Sequence, residues 1–400
     1  MHVALYSPAW PLKRHPNGVV TYVHWTREEL SRLGHRVSIF TGLLDEPEAD
    51  VHVVEGSLSL GQRVRSWLGG RSDTPEQHIL DWGRRLAKIV LRVHRRTPID
   101  VFEMEESFGW MADVQAMTAI PTVVKLHGPA FLSLVEEELQ TPLARARIAR
   151  EGRALLRMAC VTSPAQHTLD ETIARYDLKP ALARHIDNPL SLPSSAPVWA
   201  FDRCDRKRLL FVGRFDKRKG GDVVLRAFED LARDDPSLQL TFVGPDGGVG
   251  DSQGRRLGFD DARATLCPSA GSRIDYRGGL DPEQIYPLRA NAYLTIVASR
   301  WENQSYTALE AMAQGCPLVS SDAGGQGEFV IDGSTGLLAK AGSDEELRKR
   351  IATLLLDPRR AAELGRRARE HALTQHSPAA VVAKTLEVYE AAIGMGGRSR

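Results

Sequence analysis

The stretch "YLTIVASRWENQSYTALEAMAQGCPLVSSD", residues 293–322, reads as strand, turn, helix and strand. The run "YLTIVAS" is apolar and β-branched, the pattern of a strand buried on both faces. "RWENQ" is the turn, Ser305 is the expected N-cap, and the helix runs to Gln314. Gly315 stops the helix, and Pro317 opens the next strand. Strands alternating with helices in this way predict a parallel sheet covered by helices. Glu302 then lies in the turn and Glu310 in the second helical turn. A helix start attracts anions through its free N–H groups and dipole. Two carboxylates at the same place suit hydroxyl groups instead, so the pair points to a ligand with both features. The competing reading is that both glutamates are ordinary surface residues.

The same alternation runs along the whole chain. Strand-like runs in the first half are "HVALYS", "RVSIFT", "DVHVVE", "DVFEME", "PTVVKLHG" and "ACVTSP". In the second half they are "RLLFVGR", "LQLTFVG", "RIDYRGG", "YLTIVAS" and "PLVSSD". Helical stretches fall between them at 18–33, 74–96, 220–233 and 343–356, the second with Thr74 as cap and Pro75 at the first position. This order predicts an α/β protein built from two doubly wound, Rossmann-like domains facing each other across a cleft. The expected division is a first domain over 1–190, a Pro- and Ser-rich linker over 191–206 and a second domain over 207–377. A helix over 378–393 is expected to pack back onto the first domain.

Composition narrows the class. The 400 residues are 42% hydrophobic and 26% charged, with a net charge of +1. That balance gives no field for nucleic acid, and no apolar run approaches the ~20 residues that span a bilayer. The N-terminal "MHVALYSPAWPLKRHPNG" lacks the basic start and unbroken apolar core of a signal peptide. Four cysteines, Cys160, Cys204, Cys267 and Cys316, form no CxxC pair. This argues against a disulfide frame or zinc site and for a cytoplasmic location.

"RLLFVGRFDKRKGGDVVLRAF" is a strand, a basic loop and a helix opened by Gly220 and Gly221. Arg214 and Lys219 on such a turn suit a phosphate, the Arg as a fork and the Lys as a point charge. A solvated basic loop is the alternative. The turn is neither a GxxxxGK[ST] loop nor a GxGxxG fingerprint. The Gly-rich "SDAGGQGE", 321–328, is expected to bring further N–H groups toward an anion. His127 ends the strand in "VVKLHGPAF", where a structural and an active-site role are both open.

Taken together, these residues resemble a known family. "FVGRFDKRKGG" is similar to the donor-phosphate loop of the retaining, GT-B-fold glycosyltransferases of family 4. "SRWENQSYTALEAMAQGCPLVSSDAGGQGEFVIDGSTGLL" resembles that family's E-x7-E region and the segments after it. "HPNGVVTYVHWTREELSRLGHRVSIFTG" resembles its Gly-rich loop, helix and GHxV strand. The resemblance covers nearly the whole chain and implies a metal-independent hexosyltransferase, of the kind used in polysaccharide biosynthesis. It places Arg214 and Lys219 on the donor diphosphate, with Gly18 on a flexible loop nearby. It makes Glu302 and His127 the catalytic pair beside the donor sugar and puts Glu310 on the ribose. Asn303, Gln304, Ser305 and Tyr306 would border the donor sugar and phosphate. Gln304 and Ser305 depart from the residues common there, as does Asn17 before Gly18, where Asn tolerates the left-handed turn that glycine favours. The implied co-substrate is a UDP- or GDP-sugar, with no metal; the acceptor is a glycan, a lipid-linked saccharide or a small molecule.

The chemistry expected from the resemblance is departure of a nucleotide diphosphate, its charge stabilised by Arg214, Lys219 and a helix N-terminus. The sugar is oxocarbenium-like, as in glycoside chemistry. Same-face substitution follows, with the phosphate helping to take the acceptor proton. Two other readings share the architecture: a nucleotide-sugar epimerase, and a non-catalytic nucleotide-sugar-binding protein. Residues 61–96 add a basic region, with nine Lys or Arg against three Asp or Glu. Arg84, Lys88, Arg92 and Arg96 repeat along one helix face, with Ile79, Trp82, Leu86, Val90 and Val93 on another. Contact with an anionic membrane competes there with a surface helix packed on the first sheet.

Overall fold

The computed structural model describes residues 1–54, 75–250 and 255–397. Thr74, residues 61–73 and the side chain of Ile79 lie outside what is described. Contacts divide the chain into two compact units: Met1–Pro189 with Pro378–Arg400, and Leu190–Ser377.

The first unit is built on seven parallel strands: β1 (His2–Ser7), β2 (Arg36–Thr41), β3 (Val51–Val53), β4 (Val101–Glu105), β5 (Thr122–Lys125), β6 (Cys160–Ser163) and β7 (Leu182–His185). Their order is β3-β2-β1-β4-β5-β6-β7, with Val3 paired to both Val37 and Val101. β1 and β4 to β6 are buried along their whole lengths, which is why they read as unbroken runs. Ala4, Phe40, Phe102, Val124 and Val161 form the core with Leu86 and Val90 of the helix Pro75–Arg96. That helix therefore spends its apolar stripe on the sheet, while Arg84, Lys88, Arg92 and Arg96 stay exposed. The helix Pro378–Gly397 packs against the helix Gly18–Arg32 and against β5.

The second unit repeats the plan with six parallel strands: β8 (Asp205–Val212), β10 (Gln239–Val243), β13 (Ile274–Tyr276), β14 (Ala292–Val297), β15 (Leu318–Ser321) and β16 (Leu337–Ala339). The order is β13-β10-β8-β14-β15-β16. A small sheet of β12 (Arg256–Leu257), β11 (Asp246–Gly250) and β9 (Phe215–Asp216) sits beside it. The Pro- and Ser-rich stretch before β8 is not a free tether. Trp199 is buried, its N–H bonded to the Gln314 carbonyl and its indole Nε1 donating to the Ala292 carbonyl at 2.8 Å. Burying one indole and satisfying its donor is enough to dock the segment.

Both sheets reverse winding direction at one point, between β1 and β4 in the first and between β8 and β14 in the second. Ligands of such sheets bind beyond the carboxyl ends of the strands there. In the second unit those ends open into Gly213–Gly220 and Ala298–Ser305.

Candidate active site

The loop after β8 is folded around Asp216. Its carboxylate accepts the Lys219 backbone N–H at 2.6 Å and pairs with the Arg214 guanidinium. Gly220 follows in the left-handed region at φ +75° and caps the helix Gly221–Asp234. A Cβ at Gly220 would lie 2.0 Å from the Ala298 carbonyl oxygen, so only glycine lets this loop approach the end of β14 so closely. The approach is reinforced by Arg300. Its N–H donates to the Arg218 carbonyl at 2.7 Å, and its guanidinium grips Asp222 at 2.7 and 2.8 Å. The two turns are therefore tied together by Arg300.

The product of that contact is an ion pair between Lys219 Nζ and Glu302 Oε1. The Ser299 hydroxyl donates to the same oxygen at 2.8 Å, and Arg218 stands 3.9 Å away. Burial acts to raise the Glu302 carboxyl, but Lys219, Arg218 and Ser299 outweigh it and hold the group below its ordinary value. Glu302 is thus a buried carboxylate that stays charged.

In the Gly-rich turn after β15, the Gly325 N–H donates to the Glu302 carbonyl at 3.0 Å. Gly324, at φ +57°, packs so close that a Cβ would lie 2.2 Å from that carbonyl oxygen. The turn fixes the Glu302 backbone. Ser305 caps the helix Tyr306–Gln314 as expected, accepting from the Ala308 N–H, and Gly315 ends it at φ +77°. Asn303, Gln304 and Ser305 are buried, and Tyr306 is partly so. The Ser305 N–H is held by Gln326 at 3.1 Å. Glu310 is paired with the fully buried Arg289 at 2.8 Å, and Arg289 also bonds Gln314 at 2.7 Å.

The first unit carries a second polar centre at the carboxyl ends of its strands. His127 follows β5, its ring edge-on to Tyr22 at 5.0 Å. Glu106, just past β4, accepts the backbone N–H groups of His127 and Gly128, one on each oxygen, both at 2.8 Å. Lys125 donates to the Ile186 carbonyl at 2.8 Å and lies over the Tyr22 ring at 4.7 Å. The Tyr22 hydroxyl donates to Glu103 at 2.7 Å. Burial, aided by Lys125, pushes the imidazole of His127 down to about 3, so it is neutral at pH 7. Burial also pushes Glu106 up to about 8, with Glu151 and Glu105 adding to it. Asn17 is extended, at φ −153°, not left-handed: its side chain accepts the Val20 N–H at 3.0 Å, which caps the helix that Gly18 opens.

Arg214, Lys219 and Glu302 are thus gathered at one switch point, with residues 303–306 and Glu310 running on from it. His127 and Gly18 belong to the other unit. Asp216, Ser299 and Glu106 escaped the sequence reading. The three glutamates in "DVFEMEE", at the end of a strand too apolar to be exposed, were the available signal for the last. Among the described residues no group of three or more His, Cys, Asp or Glu is arranged to hold a metal.

Comparison with known proteins bears on the whole chain. Residues 202–371 match the family model described as glycosyl transferases group 1, and residues 16–192 match that of glycosyltransferase family 4. The chain is 27% identical to the D-inositol 3-phosphate glycosyltransferase of Corynebacterium aurimucosum, over 94% of this chain and 92% of that protein. It is 26% identical to the MMP alpha-(1->4)-mannosyltransferase of Mycolicibacterium hassiacum, over 98% of each. Among solved structures, the sucrose-phosphate synthase of Thermosynechococcus elongatus superposes with a TM-score of 0.76 at 20% identity, covering 98% of this chain and 99% of that one. Anabaena HepE in complex with UDP-glucose gives 0.68 at 16%, covering 97% and 99%. With both halves matched and both sheets wound alike, the chain belongs to the group 1, family 4 glycosyltransferases of GT-B fold.

Proposed function

We propose that this glycosyltransferase takes its sugar from a nucleotide-diphosphate donor held by the second unit and transfers it with retention to a hydroxyl group. The supporting observation is the joining of Lys219 and Glu302 at the switch point, with Arg214 on the same loop. Arg214, Lys219 and the N-terminus of the helix Gly221–Asp234 take the diphosphate and stabilise the charge that grows on it as the sugar leaves. Glu302 accepts hydroxyls of the donor sugar, and Glu310 those of the ribose. Residues Asn303 to Tyr306 line the same region. His127, neutral at pH 7, offers a hydrogen bond to the transferring sugar rather than a charge, and Glu106 holds the peptide that carries it. Glu302 is already committed to Lys219 and Ser299, which suits a hydrogen-bonding role better than that of a nucleophile. The leaving phosphate therefore takes the acceptor proton on the same face, and no residue is covalently glycosylated.

Several relatives are named for D-inositol 3-phosphate, and one solved neighbour holds UDP-glucose. UDP-sugars and cyclitol acceptors are accordingly the first to screen. Mixing the protein with labelled nucleotide sugars, with and without acceptors, tests the reading. Acceptor-dependent release of nucleotide with the anomeric configuration kept supports it; an acceptor-independent change of sugar stereochemistry refutes it. The four free cysteines fit a reducing, cytoplasmic setting. The exposed row Arg84, Lys88, Arg92 and Arg96 fits contact with an anionic membrane by charge alone, since the apolar face of that helix is used by the sheet. Binding to anionic vesicles that is lost at high salt would support this second point.

A further inference from the structure

Two buried carboxylates account for the backbone around His127. Glu106, just past β4, accepts the N–H groups of His127 and Gly128, both at 2.8 Å. Glu151, on the helix Pro142–Leu155, accepts the Ala130 N–H at 2.9 Å on one oxygen. Pro129 has no N–H to give, so every backbone N–H from His127 to Ala130 ends on a carboxylate. The other oxygen of Glu151 takes the Phe108 N–H at 3.1 Å and the Arg147 guanidinium at 2.6 Å. Phe108 stands in the left-handed region, at φ 57°, where a bulky residue is strained. Glu151 thus joins the turn after β4 to the turn after β5, and Glu106 joins them a second time.

Closing two turns does not require such an arrangement. Neutral carbonyls and hydroxyls satisfy the N–H groups of most turns. Here Glu105, Glu106 and Glu151 are all buried close together, and Arg147 is the cation paired with Glu151. Gathering like charges away from water costs stability. The cost is visible at Glu106, whose carboxyl is pushed up first by burial and then by Glu151 and Glu105. In return, hydrogen bonds to a charged acceptor are shorter and stronger than neutral ones. A locally costly arrangement that fixes one backbone geometry is characteristic of functional sites. The side chain carried by that geometry is His127. Its ring rests edge-on against Tyr22, and the peptide held by the two carboxylates sets where the ring sits.

We propose that Glu151 and Glu106 act jointly as positioning residues for His127, fixing the peptide that presents the imidazole to the transferring sugar. They act through the backbone and not on the substrate. The inference rests on the transferase reading of His127, and it adds Glu151, a residue on a separate helix, to the machinery of that reading. A reacting group misplaced by about 1 Å loses up to about a hundredfold in rate. Loss of either carboxylate therefore falls on kcat. The nucleotide sugar is held by the second unit, so its KM is spared.

Glu151→Gln and Glu106→Gln keep the size of each side chain but turn one accepting oxygen into an amide group that faces an N–H. Each should lower kcat about tenfold or more, with KM for the nucleotide sugar within about twofold of wild type. The full chain carrying isotope-labelled histidine gives a readout that does not depend on turnover. Among its twelve histidines, the NMR signal of His127 is identified by its loss in His127→Gln. That signal should move or broaden in both carboxylate variants, while those of His371 and His376 in the second unit stay in place. An unmoved His127 signal in both variants overturns the proposal, and so does a kcat within about twofold of wild type. A merely structural role would shift the His371 and His376 signals as well, or raise KM as kcat falls, and either result also overturns it. Should Glu151→Gln fail to fold, Glu106→Gln decides alone, because Glu151 then still holds Phe108 and Ala130. The two readings fail separately. A wild-type protein that transfers no sugar from any nucleotide sugar refutes the transferase reading, whereas an unmoved His127 signal refutes the positioning.

Discussion

Lys219 Nζ and Glu302 Oε1 form an ion pair across two neighbouring strand-to-helix turns, although the residues are 83 positions apart in the chain. Because Glu302 is buried and its carboxyl held below the ordinary value, its charge contributes stability above the unfolded pKa. That contribution is lost as pH falls through the lowered folded value. Lys219→Ala should therefore destabilise the second unit by about 1–3 kcal/mol at pH 7, the Lys side chain being partly exposed and Arg218 and Ser299 remaining. The gap between wild type and variant should shrink below about pH 4. Thermal unfolding from pH 3 to 7 reads it directly, and a gap that widens toward acid would contradict the assignment. Turnover in the same variant should fall about a hundredfold or more, as expected for loss of a charge that stabilises a leaving group.

Gly220 and Gly278 both have positive φ, at +75° and +61°. Only Gly220 is also crowded, since a Cβ at Gly278 would meet nothing within 4 Å. Gly278→Ala should cost about 1 kcal/mol, the price of a left-handed alanine. Gly220→Ala should cost about 3 kcal/mol or more, because the Ala298 carbonyl must move as well. It should also weaken nucleotide binding by displacing the Lys219 loop. Urea midpoints and a nucleotide titration on the two variants separate the contributions of strain and contact.

Glu105 reverses the usual acid behaviour of a carboxylate. Its folded value, about 7, is above the unfolded one, so the native state holds the proton longer and stability falls as pH rises between about 4.5 and 7. Tyr6, Ser107, Arg147 and Glu151 are the groups that face it. Glu105→Gln should remove part of this slope, on the order of 2 kcal/mol, leaving the variant relatively more stable at pH 8 than at pH 5. Denaturant unfolding at the two pH values is the check, and an unchanged slope would count against a buried, protonated Glu105.

Glu310 and Arg289 divide differently. In Glu310→Gln, Arg289 keeps its bond to Gln314 but loses its carboxylate partner, so stability should fall by about 1–3 kcal/mol. A ribose contact is made equally in the ground and transition states, so KM for the donor should rise about tenfold with kcat within about twofold. Arg289→Ala removes a fully buried cation from two partners and should cost about 3 kcal/mol. A fall in kcat alone for Glu310→Gln would move that residue off the ribose.

The sequence was most legible where local chemistry decides structure. "HVALYS" and "YLTIVAS" are buried on both faces and cannot be mistaken for exposed segments, and Ser305 and Gly315 mark both ends of one helix. It was least legible where the outcome depends on a distant partner. β7, at the sheet's edge, has no fully buried residue and carries no apolar run, and β16 is only three residues long. Asn17 has two ways to use its side chain, and nothing local favours the cap over the left-handed turn. The Gly324-Gly325 turn was read for its free N–H groups, but the Glu302 carbonyl, about twenty residues earlier, claims one of them. Chain separation hid the pairing of Lys219 with Glu302 and of Arg289 with Glu310 in the same way.

The helix Pro378–Gly397 belongs to the first unit although the whole of Leu190–Ser377 is made before it. Val381, Val382, Val388 and Tyr389 are buried there, Tyr389 beside Glu103 and Tyr22. During synthesis the second unit is therefore complete while the first still lacks one wall of its core. The unit that is made first is therefore completed last, when the helix that follows Ser377 closes its core.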